Sequence, residues 1–556
     1  MTNAEISDFF SLLSKLMDIH GENAFKSKTY SIAAFQLDKL PIVLSEISRT
    51  EIACIPGIGA SVSVKIIEIL DTGHLKVLDE LLAKTPEGVL DLLKIKGIGP
   101  KKIAVIWHEL GVESPGELLY ACEENRLIAY KGFGVKTQQS IQEAITFYLS
   151  NQQRYLYAQI EPIAISIQKF LDARFSFTSV FISGSFRRQC NIIDELEYVI
   201  ATDTETIQEE MSREPAFTFS KEEDGSVYYL FQEHIQVILH STDEENTDAT
   251  LFFTTGTPAF NDAFQEAFPE VSFAGSGGEE DLIFEEAGIP FIEPCLRESK
   301  ASIDLAQENN LPSLIQLKHI KGIIHNHSTW SDGGFSIAQM AQACIEKGFE
   351  YLVMSDHSVS SFYANGLSIE RIKQQQEEID ILNEKLKPFK IFKSIECDIL
   401  NDGRLDYPDD ILSSFDLVIA SVHQNLKMTE EKAMMRLMGA IQNKYTRILG
   451  HLTGRLLLSR KEYPVNHQAI IDACKLHDVV IEINANPRRL DMDWQWISYA
   501  IDQGVLLSIN PDAHSIRGID DIRYGVLSAQ KGMLTAKQNL SSFSLHEFEN
   551  FLATKK

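Results

Sequence analysis

The 556-residue chain has no apolar run of membrane-spanning length, which would need roughly 20 consecutive apolar residues. Its seven cysteines, at 54, 122, 190, 295, 344, 397 and 474, include no Cys-x-x-Cys pair. An odd number of widely spaced thiols argues against a disulfide framework and against a cysteine-held zinc. The opening stretch, MTNAEISDFFSLLSKL, lacks the basic start and small-residue cleavage site of a signal peptide. A cytoplasmic location, with no membrane partner, is the expectation that follows. Basic residues are scarce too: 51 Lys and Arg stand against 79 Asp and Glu, a formal charge of -28. That excludes a uniformly basic nucleic-acid binder.

What is present is ordinary globular material, 44% hydrophobic and 23% charged, in a chain long enough for three or more cores. The charge is unevenly spread. Residues 1–150 hold 15 Lys and Arg against 19 Asp and Glu, whereas residues 201–300 hold 4 against 23, so the middle repels phosphate.

Residues 1–150 alternate helical apolar periodicity with short glycine-containing breaks, which predicts an all-α region. IPGIGASVSVKII (55–67), IKGIGPKKIAVIW (95–107) and the weaker YKGFGVKTQQSI (130–141) each set Gly-x-Gly between two helices. Glycines there let backbone amides at a helix N-terminus approach a phosphate, which points to DNA contacts at Gly57, Gly59, Gly97, Gly99, Lys101 and Lys102. A tight helix-helix turn needing positive φ explains one copy equally well, and repetition favours the phosphate reading.

From 151 to 300, short β-rich runs mixed with helices predict an α+β segment. The polar 301–318 stretch is expected to be a linker. From 319 to 556 the pattern is apolar strand, then amphipathic helix, repeated seven times, which predicts a parallel barrel. His325 and His327 lie two apart at one strand exit, followed by Asp332. Other exits supply His357, Glu396, His423, His451, Asp512 and His514. A lone strand-end histidine is ordinarily a structural hydrogen-bonder; six at strand exits, joined by carboxylates, suit zinc, manganese or iron, with magnesium open. Nine ligands are too many for one ion, so two or three divalent metals are expected. Such ions acidify water and clamp phosphate, the chemistry of phosphoester hydrolysis. Glu482 and Asn484 in EINAN are expected to support the ligands, and Arg455 in HLTGRLL to meet either a phosphate or an acidic partner.

HNHSTWSDG, SDHS, IECDIL, SVH, GHLTGRLL, EINANP and NPDAHS together resemble the PHP (polymerase and histidinol phosphatase) domain. The resemblance implies a distorted (β/α)7 barrel with a trinuclear metal site, whose nine ligand positions fall on the residues just named. Ile324 departs from the aspartate common before the first histidine. NAFKSKTYSIAAFQL and the Gly-x-Gly segments resemble the N-terminal helix-hairpin-helix region of family X DNA polymerases.

GSFRRQCNIIDELEYV (184–199) resembles the palm motif of that family, a nucleotidyltransferase-like fold, at Gly184, Ser185, Arg187 and Arg188. The family's paired aspartates are replaced by Glu195 and Glu197, and Ile238 occupies the expected place of the third. TGTPAFNDAF keeps Thr255, Gly256 and Asn261 of a thumb-like motif but has Phe260 at the usual histidine. Glutamate is one methylene longer, and magnesium demands near-ideal octahedral geometry, so nucleotidyl transfer is expected to have lapsed. The expected function is metal-dependent 3'-5' exonuclease or 3'-end processing of DNA, at gaps or 3' ends, in DNA repair. An active gap-filling polymerase, a small-molecule phosphatase and a non-catalytic repair scaffold stand beside it.

Overall fold

The computed structural model describes the chain apart from positions 41, 56–57, 124–125, 151–152, 233, 274–279, 459 and 555–556. It divides into two compact units, Met1–Gln152 and Gln153–Lys556.

The first unit is helical, as the periodicity predicts. Helix Asn3–Ile19 starts at a reciprocal cap between Thr2 and Glu5 and buries Ile6, Phe10, Leu13 and Met17 along one face. Two Gly-x-Gly breaks open helices Ala60–Thr72 and Pro100–His108, each with glycine at the N-cap and no side-chain cap. Gly97 and Gly132 share a left-handed φ of 94° and 96°, so the third, weaker copy repeats the backbone turn of the second.

The second unit holds two sheets of different grammar. Its five-stranded sheet places Val180–Ser183 beside Glu195–Ile200, then Ile235–Ser241, Ser226–Phe231 and Phe217–Glu223 at the far edge. All pairs are antiparallel except Glu195–Ile200 with Ile235–Ser241. Short helices follow around buried Phe252, Phe260, Phe264 and Phe284.

The expected 301–318 linker is not a free spacer. Its first half lies in helix Lys300–Gln307, which buries Ile303 and Ala306 against that phenylalanine cluster. Every-third-and-fourth apolar spacing inside a polar stretch carried the helix, and the polar composition hid it.

Seven parallel strands then run in sequence order: Gly322–Ile323, Tyr351–Met354, Lys390–Asp398, Leu417–Ser421, Thr446–Leu449, Val480–Asn484 and Leu507–Asn510. A parallel bridge between Asn326 and Ala513 joins the first strand's exit to the last, so the sheet nearly closes into a (β/α)7 barrel. Its floor is apolar: Ile324, Val353, Phe392 and Ile419 pack with Phe548 from the C-terminal helix Leu545–Ala553. Ile324 thus fills the barrel floor, which accounts for an apolar residue beside the first histidine. Among the described residues no helix is long and apolar enough to cross a membrane, and no disulfide joins the cysteines.

Candidate metal centre

Strand exits bring all nine predicted residues of the barrel to one rim. Glu396 sits at its centre: its Oε1 lies 3.2 Å from His325 Nε2, 3.0 Å from His423 Nε2 and 2.9 Å from His451 Nε2. Its Oε2 lies 2.9 Å from His357 Nδ1 and 3.6 Å from His327 Nε2. Asp512 Oδ1 is 3.1 Å from His327 Nε2, and Asp332 Oδ1 is 3.4 Å from His514 Nε2. Donor atoms gather in three groups: His327, Asp332, His357 and His514; His325, His327 and Asp512; His357, Glu396 and His423. His325 and Asp512 hold left-handed φ values of 63° and 53° at the bridge that closes the barrel. Side chains rarely accept that conformation, and strain of this kind concentrates at functional sites.

The cluster is buried except on one flank, where the side chains of Asp332 and His514 are 35% and 41% exposed. His325 Nε2, His327 Nδ1, His357 Nδ1, His451 Nδ1 and Glu396 Oε2 are buried with no hydrogen-bond partner among the described residues. His357 Nδ1 and Glu396 Oε2 are close, yet not aligned to bond each other. A buried unsatisfied polar atom costs about 1–3 kcal/mol, and the four on His325, His327, His357 and Glu396 lie together in the cluster, where cations would satisfy them.

Ionisation follows from the crowding. Burial opposes charge on Glu396, but His423, His325 and His357 outweigh it and hold the carboxyl well below its usual range. Asp512 behaves likewise, with His325 the largest counterweight to its burial. His327 is pushed down to about 3 by burial and by His514 and His357, so it stays neutral and keeps a lone pair to offer. For His514, burial is overcome by Asp332 and Asp512, and its pKa rises to about 9.

The supporting residues fix which nitrogen faces the rim. Glu482 Oε2 accepts from His325 Nδ1 at 2.6 Å, and Asn484 Nδ2 donates to both Glu482 and Asp512, the roles the EINAN segment predicted. Three supports went unforeseen. Asp398 accepts from His423 Nδ1 at 3.0 Å, and Asn510 Nδ2 donates to Glu482 at 2.8 Å. Asp356 accepts from the Ser328 and Ser331 amides, shaping the loop that carries Asp332. SDH and ECD contain two of these acids in plain view, one and two positions from a ligand, and that adjacency was the usable signal.

Arg455 does not face the rim. Its guanidinium is bonded to Asp493 and to the carbonyls of Arg489 and Leu490, a largely buried arrangement unlike the phosphate contact expected for it. The basic group beside the cluster is Arg489, whose Nε lies 3.5 Å from Asp512 Oδ2.

In the five-stranded sheet, Glu195 and Glu197 do share a face. Register sets Glu195 opposite Gln236 and Glu197 opposite Ile238. Gln236 Nε2 donates to Glu195 at 3.3 Å and His240 Nε2 stands 2.9 Å from Glu197, so an amide, an isoleucine and an imidazole line the place of the third carboxylate. Burial and neighbouring Glu197 raise the Glu195 carboxyl. Gly184 holds a left-handed φ of 64°, which favours glycine, and a Cβ there would lie 1.9 Å from Glu197 Oε1, so Glu197 would have to shift. Arg187 pairs with Glu280 at 2.7 Å and Arg188 with Glu298 at 3.2 Å, while the Ser185 hydroxyl is buried without a partner among the described residues.

In the helical unit, Gly57 lies outside the described residues. Gly59, Gly97 and Gly99 have open space where a side chain would project, and Lys101 is exposed beside them, with Lys102 partly so.

The comparisons agree with this division. Residues 1–75 match a family model described as a helix-hairpin-helix domain, and residues 89–146 one described as a SAM-like helix-hairpin-helix tandem. The C-terminal region matches a probable phosphatase of Caldanaerobacter subterraneus subsp. tengcongensis, 29% identical over 29% of this chain and 60% of that protein. A probable phosphatase of Thermoanaerobacter sp. (strain X514) is 27% identical over 34% of this chain and 77% of its own length. Hairpin repeats, a palm-like sheet and a PHP barrel in one chain define the class, an X-family polymerase carrying a PHP domain. DNA polymerase/3'-5' exonuclease PolX of Bacillus subtilis (strain 168) is 35% identical over 99% of both chains. The chain belongs to the PolX family.

Proposed function

We propose that the barrel is a metal-dependent phosphodiesterase that trims DNA from 3' ends. The observation that carries this is the convergence of four buried, unpartnered donor atoms, on His325, His327, His357 and Glu396, on one rim. The relative's printed name, which includes a 3'-5' exonuclease, supports the direction of attack.

Two or three divalent ions of the manganese, zinc or iron kind would be held by His325, His327, Asp332, His357, Glu396, His423, His451, Asp512 and His514. Bound there, they would acidify a water and neutralise phosphate charge. The chain's own residues do the rest. Glu482 and Asp398 would accept hydrogen bonds from Nδ1–H of His325 and His423, which leaves both Nε2 atoms to face the rim. Asp332 and His514 form the open flank, where a phosphodiester would enter. The Gly-x-Gly hairpins, with Lys101 and Lys102, would hold the DNA backbone, and such a protein works in repair of gapped or damaged ends within the cytoplasm.

The second reading is a working gap-filling polymerase, favoured by the other half of the relative's name. Against it stand Glu195 and Glu197 without a third acid, and Arg187 and Arg188 committed to Glu280 and Glu298. Incubation of the protein with end-labelled single-stranded and gapped DNA plus manganese tests the main reading. Stepwise shortening from the 3' end that vanishes in His325→Ala is the expected result; intact DNA under all metals would overturn it.

A further inference from the structure

Of the nine rim residues, Asp332 lies farthest from a strand. It stands nine positions past Ile323, on a turn at 329–332, whereas the other eight stand in a strand or within four positions of its end. A ligand on a loop is placed less precisely than one on a strand, so the turn has to be held from outside.

Helix Ile369–Lys385, capped by Ser368, supplies the hold. Arg371, Gln375 and Glu378 recur four and three residues apart, along one face. All three polar side chains serve the same turn. Arg371 Nη2 donates to the Trp330 carbonyl, and Glu378 Oε2 accepts from the Trp330 indole at 2.8 Å. Gln375 Nε2 donates at 2.6 Å to Asp356 Oδ2, the acid that takes the Ser328 and Ser331 amides. A helix can pack on a loop by apolar contact alone. Here one amide, on Gln375, is 1% exposed and two charged groups are half-buried, and that desolvation is offset through the loops they bind.

The Arg371 guanidinium also reaches a second loop, the one that follows His357. Its Nη1 donates to the carbonyls of Asn365 and Gly366 at 2.7 and 3.2 Å, and Asn365 Nδ2 donates to those of Trp330 and Ser331 at 3.4 Å. A planar fork of donors lets one side chain clamp both loops, which an ammonium could not do. Asp332 and His357 belong to one donor group, with His327 and His514, and Asp332 enters neither of the other two groups. We infer that Arg371 is a positioning residue for Asp332 and thereby governs one ion of the centre, the ion of the His327, Asp332, His357 and His514 group, without governing the rest. This rests on the reading of the rim as a metal centre, and it adds a division of that centre into one loop-held ion and others held by strands.

The test titrates manganese into metal-stripped full-length protein by calorimetry, which counts the ions and ranks their affinities. Arg371→Ala should weaken one ion by about 10–100-fold and leave the others within about twofold of wild type. Asp332→Ala should affect the same ion. Adding Arg371→Ala to Asp332→Ala should change no affinity further, because a residue that acts only through Asp332 then has nothing left to position. Should Arg371→Ala fail to fold, Arg371→Lys, which keeps the charge and loses the fork, should show the same selective loss. Unchanged affinities, an equal loss at every ion, or additive losses in the double variant would overturn the proposal while wild-type binding stands. A wild type that takes up neither manganese nor zinc would overturn the metal-centre reading, and this proposal with it.

Discussion

Glu482 and His325 meet across the barrel at 2.6 Å, both fully buried, the carboxylate on the sixth strand and the imidazole at the exit of the first. The contact decides which imidazole nitrogen is free. With Nδ1 bound to Glu482, Nε2 is turned toward Glu396 and Asp512. Glu482→Gln should therefore keep the fold and weaken metal uptake by about 10–100-fold. Calorimetric titration of manganese or zinc into the variant measures it; wild-type affinity would remove Glu482 from the site.

Metal removal should act on stability as well as activity. Four unpartnered buried atoms at the rim would be satisfied by bound cations, so the native state would gain what the unfolded chain does not. At a free metal concentration of 100 times Kd, one site stabilises by about 2.7 kcal/mol. Chelation should lower the melting temperature of the wild type, and the drop should be smaller in His327→Ala, which removes a donor from two of the three groups.

Nucleotide addition should be absent or very weak. Restoring aspartates in the double variant Glu195→Asp, Glu197→Asp should not recover it, because Gln236 and Ile238 still line the third position and Glu298 still holds Arg188. Primer extension on gapped DNA decides the matter. Robust synthesis that disappears in Glu195→Ala, Glu197→Ala would reverse this view.

Glu280 anchors the phenylalanine-rich cluster through two guanidiniums, Arg187 and the fully buried Arg297. Removing the charge strands buried Arg297, and breaking such a pair costs about 3–5 kcal/mol. Glu280→Gln should show this in urea unfolding. Burial opposes ionisation of Glu280, but Arg297 and Arg187 prevail and hold the carboxyl below its ordinary value of 4.5. A depressed folded-state pKa gives stability that is whole above the unfolded value and lost as pH falls through the folded one. The gap between wild type and Glu280→Gln should thus be constant above about pH 5 and shrink below about pH 4.5.

Lys101→Ala with Lys102→Ala should weaken DNA binding across all sequences alike. If each lysine meets one phosphate, the slope of log K against log salt should flatten by about two. Fluorescence anisotropy at several salt concentrations reads the slope. An unchanged slope would leave only the backbone amides beyond Gly59 and Gly99 as the phosphate contacts.

The order of elements was written in the sequence, because helix and strand periods are local. The Gly-x-Gly turns, the seven β/α repeats and the residue type at each strand exit could all be read from neighbours in the chain. So could the nine rim residues, since a strand's end fixes which way its next side chain points. Partnerships between distant segments were not legible. Whether Arg455 or Arg489 turned to the cluster, that Gln236 would face Glu195, and that Glu280 would gather Arg187 and Arg297 depended on packing and register across dozens of residues. A polar side chain has several acceptable partners of equal chemistry, and only the three-dimensional arrangement sets which one lies within hydrogen-bond reach.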